Sequence, residues 1–260
     1  PFNRGFNEGG HTVTADNQWL ALTSCALMGN GYRNCDIMLV RRVHGAWDQL
    51  IPLTAVNGES TWESQPSLSA NGDLLIFSSN REGGFGGLDL WMVRRLPNGN
   101  WSSPENLGPR INTAEDEKTP FLHADGQTLY FASNGHPGMG NSDVFVATID
   151  GETKPTNMGY PINDDKANIG FAVSALEPNG YFSSNARGHY DIYRFNLPSM
   201  GRPNDVQFMT GQVEGVNQVE GLLQVRIENL DSKAISRVSV DADGGYVAVY
   251  TDITELKRRE

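Results

Sequence analysis

The sequence predicts an all-β fold, a β-propeller of four-stranded antiparallel blades, from three observations: four repeats about 54 residues apart, a turn dipeptide fixed within each, and abundant glycine and proline. The 29 Gly and 13 Pro lie among many short apolar runs, a pattern of strands joined by tight turns. A chain of 260 residues is long enough to bury a core of this kind.

The dipeptides Asp16-Asn17, Asn71-Gly72, Asp125-Gly126 and Asn179-Gly180 align the repeats. These residues tolerate the positive φ that two-residue hairpins require, so the two strands flanking each dipeptide pair antiparallel. The first strand reads HTVT, PSLS, PFLH or FAVS, and the second reads WLALTS, LLIFSS, TLYFAS or GYFSS. A Gly/Asn loop then leads into a third strand, CDIMLV, LDLWMV, SDVFVA or YDIYRF. Segments such as HGAWDQLIPL and NGNWSSPENLG carry the Trp and apolar residues expected of an outer fourth strand. Four antiparallel strands in roughly 40 to 55 residues make one blade. The propeller is expected over 1–203, with repeats at about 5–57, 58–111, 112–162 and 163–203, and a separate β segment over 204–260.

A formal charge of −11 argues against a nucleic-acid partner, which needs clustered Lys and Arg. No stretch approaches the roughly 20 apolar residues that cross a bilayer. The opening PFNRGFNEGG lacks signal-peptide character, so an export signal or lipid anchor is expected upstream of it. The two cysteines, Cys25 and Cys35, bracket a loop between adjacent strands. Two reduced buried thiols and a disulfide are both open readings, the second favoured outside the cytoplasm.

Short polar residues mark the strand ends. Asn80, Asn134 and Asn185 close the second strand, and Asp36, Asp89, Asp143 and Asp191 open the third. Such side chains accept backbone N–H groups and fix turns, so their expected role is structural. Glu8, Glu63 and Glu117 share one repeat position just before the innermost strand, at the mouth of the central channel. Carboxylates gathered there would raise one another's pKa unless a cation lay between them. Channel-mouth binding is one reading, and a hydrogen bond from each Glu within its own blade is the other. Trp62, beside Glu63, is the tryptophan expected to be exposed on that face, whereas Trp19 and Trp91 fall in strand patterns and belong to the core. His11 and His123 lie in innermost strands and are candidates to converge on the axis. No histidine forms a closely spaced pair or an HExxH, so no metal and no cofactor is expected.

Catalytic motifs are missing. There is no GxSxG elbow, and the glycines of GGFGG and HPGMGN precede strands, not helices, so they are no phosphate loop. DADGGY, residues 241 to 246, reads as a hairpin turn.

The runs SQPSLSANGDLLIFSSNREGGFGGLDLWMV, KTPFLHADGQTLYFASNGHPGMGNSDVFVA and NLGPRINTAEDE closely resemble the TolB-type, WD-like propeller repeats of Bacteroidetes OmpA-family envelope proteins. That family includes the PorE component of type IX secretion. The resemblance spans about residues 5 to 198. It implies a periplasmic or outer-membrane setting, and it places the start of a carboxypeptidase-regulatory-like sandwich in FMTGQVEG and the residues that follow. Peptidoglycan binding in such proteins belongs to a further domain with no counterpart in these residues. The tail VYTDITELKRRE also resembles the junction that ends many PAS sensory domains, although the preceding alternation fits a small sandwich equally well. The expected function is a non-catalytic binding or scaffolding module of the cell envelope, partnered by an envelope protein or peptide, and not an enzyme. The alternative is a carbohydrate-active or glycan-binding propeller using axial carboxylates.

Overall fold

The computed structural model describes residue 2, residues 7–28, 31, 33–150 and 153–212, and the strands within 224–228, 235–239 and 245–250. It is an all-β propeller whose antiparallel blades follow the repeats around one axis. The first blade comprises β1 (Asn7–Val13), β2 (Trp19–Leu27) and β3 (Arg33–Val43), with an outer edge split into β4 (Ala46–Trp47) and β5 (Ile51–Pro52). The second runs in order through β6 (Glu63–Leu68), β7 (Leu74–Ser79), β8 (Asp89–Arg94) and β9 (Glu105–Asn106). The third repeats it with β10 (Glu117–Leu122), β11 (Thr128–Ser133), β12 (Asp143–Thr148) and β13 (Thr156–Asn157). In the fourth, β14 (Asn168–Val173), β15 (Asn179–Ser184) and β16 (Asp191–Asn196) form a three-stranded sheet among the described residues.

Beyond the propeller, β17 (Gln207–Gln212) pairs with β20 (Gly245–Tyr250), and β18 (Gln224–Glu228) pairs with β19 (Ile235–Ser239). Most of the expected DADGGY turn and the tail after Tyr250 lie outside the described residues.

The turn chemistry works as expected in three repeats. Asn17, Gly72 and Gly126 have φ of 57°, 73° and 69°, the left-handed values their hairpins need. The fourth repeat corrects the alignment, because Asn179-Gly180 opens β15 and does not form the turn. There Ser174 Oγ accepts the N–H groups of Leu176 and Glu177, so the hydroxyl closes the hairpin a few residues earlier. The outer strands are also shorter than the sequence suggests, two residues each. Trp101 pairs with Arg95 through an isolated bridge and packs against the cluster between the first and second blades.

Blade-to-blade packing explains why some strands are apolar at every position. Side chains alternate across a strand, so Leu75 and Phe77 join Ile37 and Leu39 of the first blade in one cluster. Leu74 and Ile76, on the opposite face, join Leu129 and Phe131 of the third blade in another. A third cluster joins Tyr130 and Val144 to Phe171 and Phe182 of the fourth blade. A strand covered on both faces thus reads as a continuous apolar run, LLIFSS. Each fully buried side chain such as Phe77 contributes about 1.5–3 kcal/mol. β16 alternates instead, with Ile192 78% exposed on the far face of the fourth blade.

Candidate functional site

In the second, third and fourth blades the innermost strand begins with a residue whose side chain ties the strand to other parts of its blade. Glu63 accepts the Gly58 N–H at 3.0 Å and the Ser79 hydroxyl at 2.9 Å, and pairs with Arg81 at 3.0 Å. Glu117 accepts the Thr113 N–H at 2.7 Å and the hydroxyls of Thr113 at 2.8 Å and Ser133 at 2.6 Å. Both glutamates are fully buried. Burial pushes the Glu117 carboxyl up, against the hydrogen bonds from Ser133 and Thr113. Asn168 fills the same seat in the fourth repeat and accepts the Asp164 N–H at 3.1 Å. Glu8, paired in register with Ser24, is the half-buried member. For Glu63 and Glu117 the within-blade reading therefore holds, and these two carboxylates are not presented to the channel.

The strand-end residues act as hinges between connection and sheet. Asn80, Asn134 and Asn185 accept the N–H groups of Trp62, Asp116 and Ala167 at 2.8–2.9 Å. Asp89 gathers the N–H groups of Phe85 and Gly86, and Asp143 those of Met139 and Gly140. Asp36 lies beside the Asn34 amide, and Asp191 lies 3.4 Å from His189. Sequence reasoning overlooked a further set. Asn57, Asn112 and Asn163 each bond both the N–H and the C=O of a third-strand residue, Ile37, Leu90 and Val144 respectively. Each follows a buried Val or Ile, so the recurring Val/Ile-Asn pair was the available signal.

The loops between second and third strands are clamped twice. The Asp of β8 or β12 holds them from within, and the neighbouring connection holds them from outside, through Gly87 N–H on Glu115 O and Asn141 N–H on Lys166 O. Gly86 and Gly140 are required by close approach, because a Cβ there would overlap the carbonyl oxygens of residues 113 and 115, or 164 and 166. The residues immediately before these glycines project outward: Phe85 is 48% exposed and Met139 54%. Trp62 is exposed beside Asn80 at this same end, as expected, whereas Trp91 is buried and Trp19 is half-buried against Arg95.

A backbone irregularity runs around the channel wall. Two residues after the Glu/Asn seat, Gly10, Gln65, Thr119 and Gly170 all have φ between 47° and 64°, and each marks a shift in strand register. Such values are strained for a β-branched residue like Thr119. At the last three bulges the freed N–H is taken by the preceding blade: Gln65 by Thr23 Oγ1, Thr119 by Gln65 Oε1, and Gly170 by Thr119 Oγ1.

His11 and His123 do not converge. His11 is exposed and lies three places after the Glu seat, whereas buried His123 lies six places after it, at the hairpin end. Among the described residues no group of three or more His, Cys, Asp or Glu is placed to hold a metal ion. Cys25 and Cys35 are disulfide-bonded across β2 and β3. No helix among the described residues is long and apolar enough to cross a membrane.

No protein-family model matches the chain, and no curated protein matches it. Solved structures of similar fold include TolB from Acinetobacter baumannii, 20% identical over 76% of this chain and 44% of that one, at a TM-score of 0.44. The β-propeller domain of the Trilobed protease from Pyrococcus furiosus is 10% identical over 98% of this chain and 73% of that one, at 0.44. A puromycin-hydrolyzing peptidase of Mycobacterium tuberculosis is 15% identical over 94% of this chain and 38% of that one, at 0.46. The chain thus spans less than half the length of the Acinetobacter TolB. Peptidase propellers stand beside TolB among these structures, and the expectation that the chain is not an enzyme is withdrawn.

Proposed function

We propose that this propeller is a protein- or peptide-binding scaffold of the bacterial cell envelope, acting in an oxidising compartment. One observation carries the reading: Phe85 and Met139 are large apolar side chains held outward at equivalent positions on doubly clamped loops. Loops fixed on a stiff scaffold are where binding residues concentrate, and pre-ordering removes part of the entropy lost on association. Exposed apolar tips on ordered loops favour an interaction surface over simple solvation. The Cys25–Cys35 bridge supports a compartment outside the cytoplasm. The repeat resemblance supports the finer assignment to OmpA-family proteins of the outer membrane or periplasm, and to a type IX secretion or peptidoglycan-anchoring assembly. The carbohydrate-active alternative loses its motivating pair, because Glu63 and Glu117 are buried and fully engaged.

The test is capture of protein partners from envelope extracts by the whole chain, compared with a Phe85→Ser/Met139→Ser variant. The proposal expects a discrete partner set, depleted at least tenfold by the double variant while its thermal unfolding is unchanged. Equal capture by both proteins, or none by either, would overturn it.

A further inference from the structure

At the hairpin turns that close the innermost strands, every repeat places an alanine at the same position: Ala15, Ala70, Ala124 and Ala175. All four line one cavity of about 380 Å³ near the axis, together with the apolar residue two places earlier in each repeat. Phe208 of β17 completes the wall. That volume lies at the lower end of ligand pockets, which span roughly 300–1,000 Å³.

The residue preceding the alanine carries the inference. In three repeats it is a hydroxyl that closes its own turn: Thr14 Oγ1 accepts the Trp19 N–H at 3.0 Å, Ser69 Oγ the Leu74 N–H at 3.0 Å, and Ser174 Oγ the Glu177 N–H at 3.2 Å. The third repeat has His123 instead. Its Nδ1 accepts the Asp125 N–H at 3.2 Å, while the Asp125 carboxylate takes the Thr128 N–H, the counterpart of the Trp19 and Leu74 N–H groups. A neutral ring that accepts at Nδ1 carries its proton on Nε2. His123 lines the cavity and is 1% exposed, and its Nε2 has no hydrogen-bond partner. An unpaired buried donor is destabilising until it meets an acceptor.

We propose that this cavity binds an uncharged, largely apolar group offering one carbonyl acceptor to His123 Nε2–H, the chemistry of an aliphatic residue within a peptide. The acceptor is neutral for two reasons. A carboxylate loses its hydration in apolar surroundings, and it would also approach the buried Asp125 carboxylate, whose Oδ1 is 3.6 Å from Nδ1 on the far side of the ring. Entry is by side-chain insertion and not by strand addition, since the N–H groups of Leu68 and Leu122 are already taken by Thr12 Oγ1 at 3.1 Å and Ser67 Oγ at 2.8 Å. The site lies at the opposite end of the blades from Phe85 and Met139, and its occupancy does not depend on that face.

The test titrates N-acetyl-leucinamide into the whole chain while the His123 imidazole resonances are followed by NMR. A saturable shift of the Nε2 signal is expected, with N-acetyl-leucine in its carboxylate form binding at least tenfold more weakly. His123→Ser restores the hydroxyl of the other repeats, so it should fold and bind the amide at least tenfold more weakly. Ala70→Phe fills the cavity and should abolish the shift. An unmoved His123 signal, equal binding of amide and acid, or undiminished binding in either folded variant would each overturn the proposal.

Discussion

Single residues in this protein are often fixed by one neighbouring backbone atom. A methyl group at Gly86 has nowhere to go between the carbonyl oxygens of Thr113 and Glu115, so Gly86→Ala should destabilise the fold by about 1–3 kcal/mol in denaturant titrations. Asn112→Ala should be comparable, about 2 kcal/mol, because it leaves the buried Leu90 N–H without its acceptor and takes one of two donors from the Leu90 C=O. The structural roles of Asn80, Asn134, Asp89 and Asp143 were legible, since a short polar residue at a strand end has few other uses. The burial of Glu63 and Glu117 was not, because their partners come from connections whose path the hydrophobic pattern does not specify. The aligned first strands HTVT, PSLS, PFLH and FAVS do show His123 where the other repeats have a hydroxyl, but not that its ring is buried.

At the scale of elements, two ties outside the sheet ladders can be tested. The Cys25–Cys35 bridge closes a loop of sequence separation 10 in the first blade. Chain-entropy arguments give it about 2–3 kcal/mol, so reduction, or Cys25→Ser/Cys35→Ser, should lower the unfolding free energy by that amount. The second tie fastens the segment after β16 to the third blade, where Asp125 Oδ2 accepts the Asn204 N–H at 3.0 Å and the Tyr130 hydroxyl donates to Gly201 O at 2.6 Å. Burial pushes the Asp125 carboxyl up, but the Thr128 hydroxyl and the N–H groups of Thr128 and Gln127 together hold it well below the ordinary carboxylate range. Its stabilisation is therefore present above that range and lost as pH falls through it. Asp125→Asn should cost about 2 kcal/mol at neutral pH, and the gap from the native chain should narrow steadily as denaturant titrations are repeated at lower pH.

For the molecule as a whole, the repeats made the architecture readable. Four hairpins with the same polar punctuation can share one axis, and strands apolar at every position require neighbours on both faces. The fourth blade tests that logic, because its two faces differ. Phe171 is buried against the third blade, and Ile192 on the other side meets solvent. Phe171→Ala should cost about 3–5 kcal/mol, whereas Ile192→Thr should stay within about 0.5 kcal/mol, as read by chemical denaturation.

The bulges set a limit on how freely such repeats can be rearranged. Gln65 reaches forward to Thr119, Thr119 reaches forward to Gly170, and Gly10, lacking a side chain, leaves Thr23 to serve Gln65. Each unit is keyed to the one behind it. Shuffling their order in the gene would keep every hairpin intact and still mismatch the locks along the inner wall, so the blades are a sequence to be read in one direction and not interchangeable bricks.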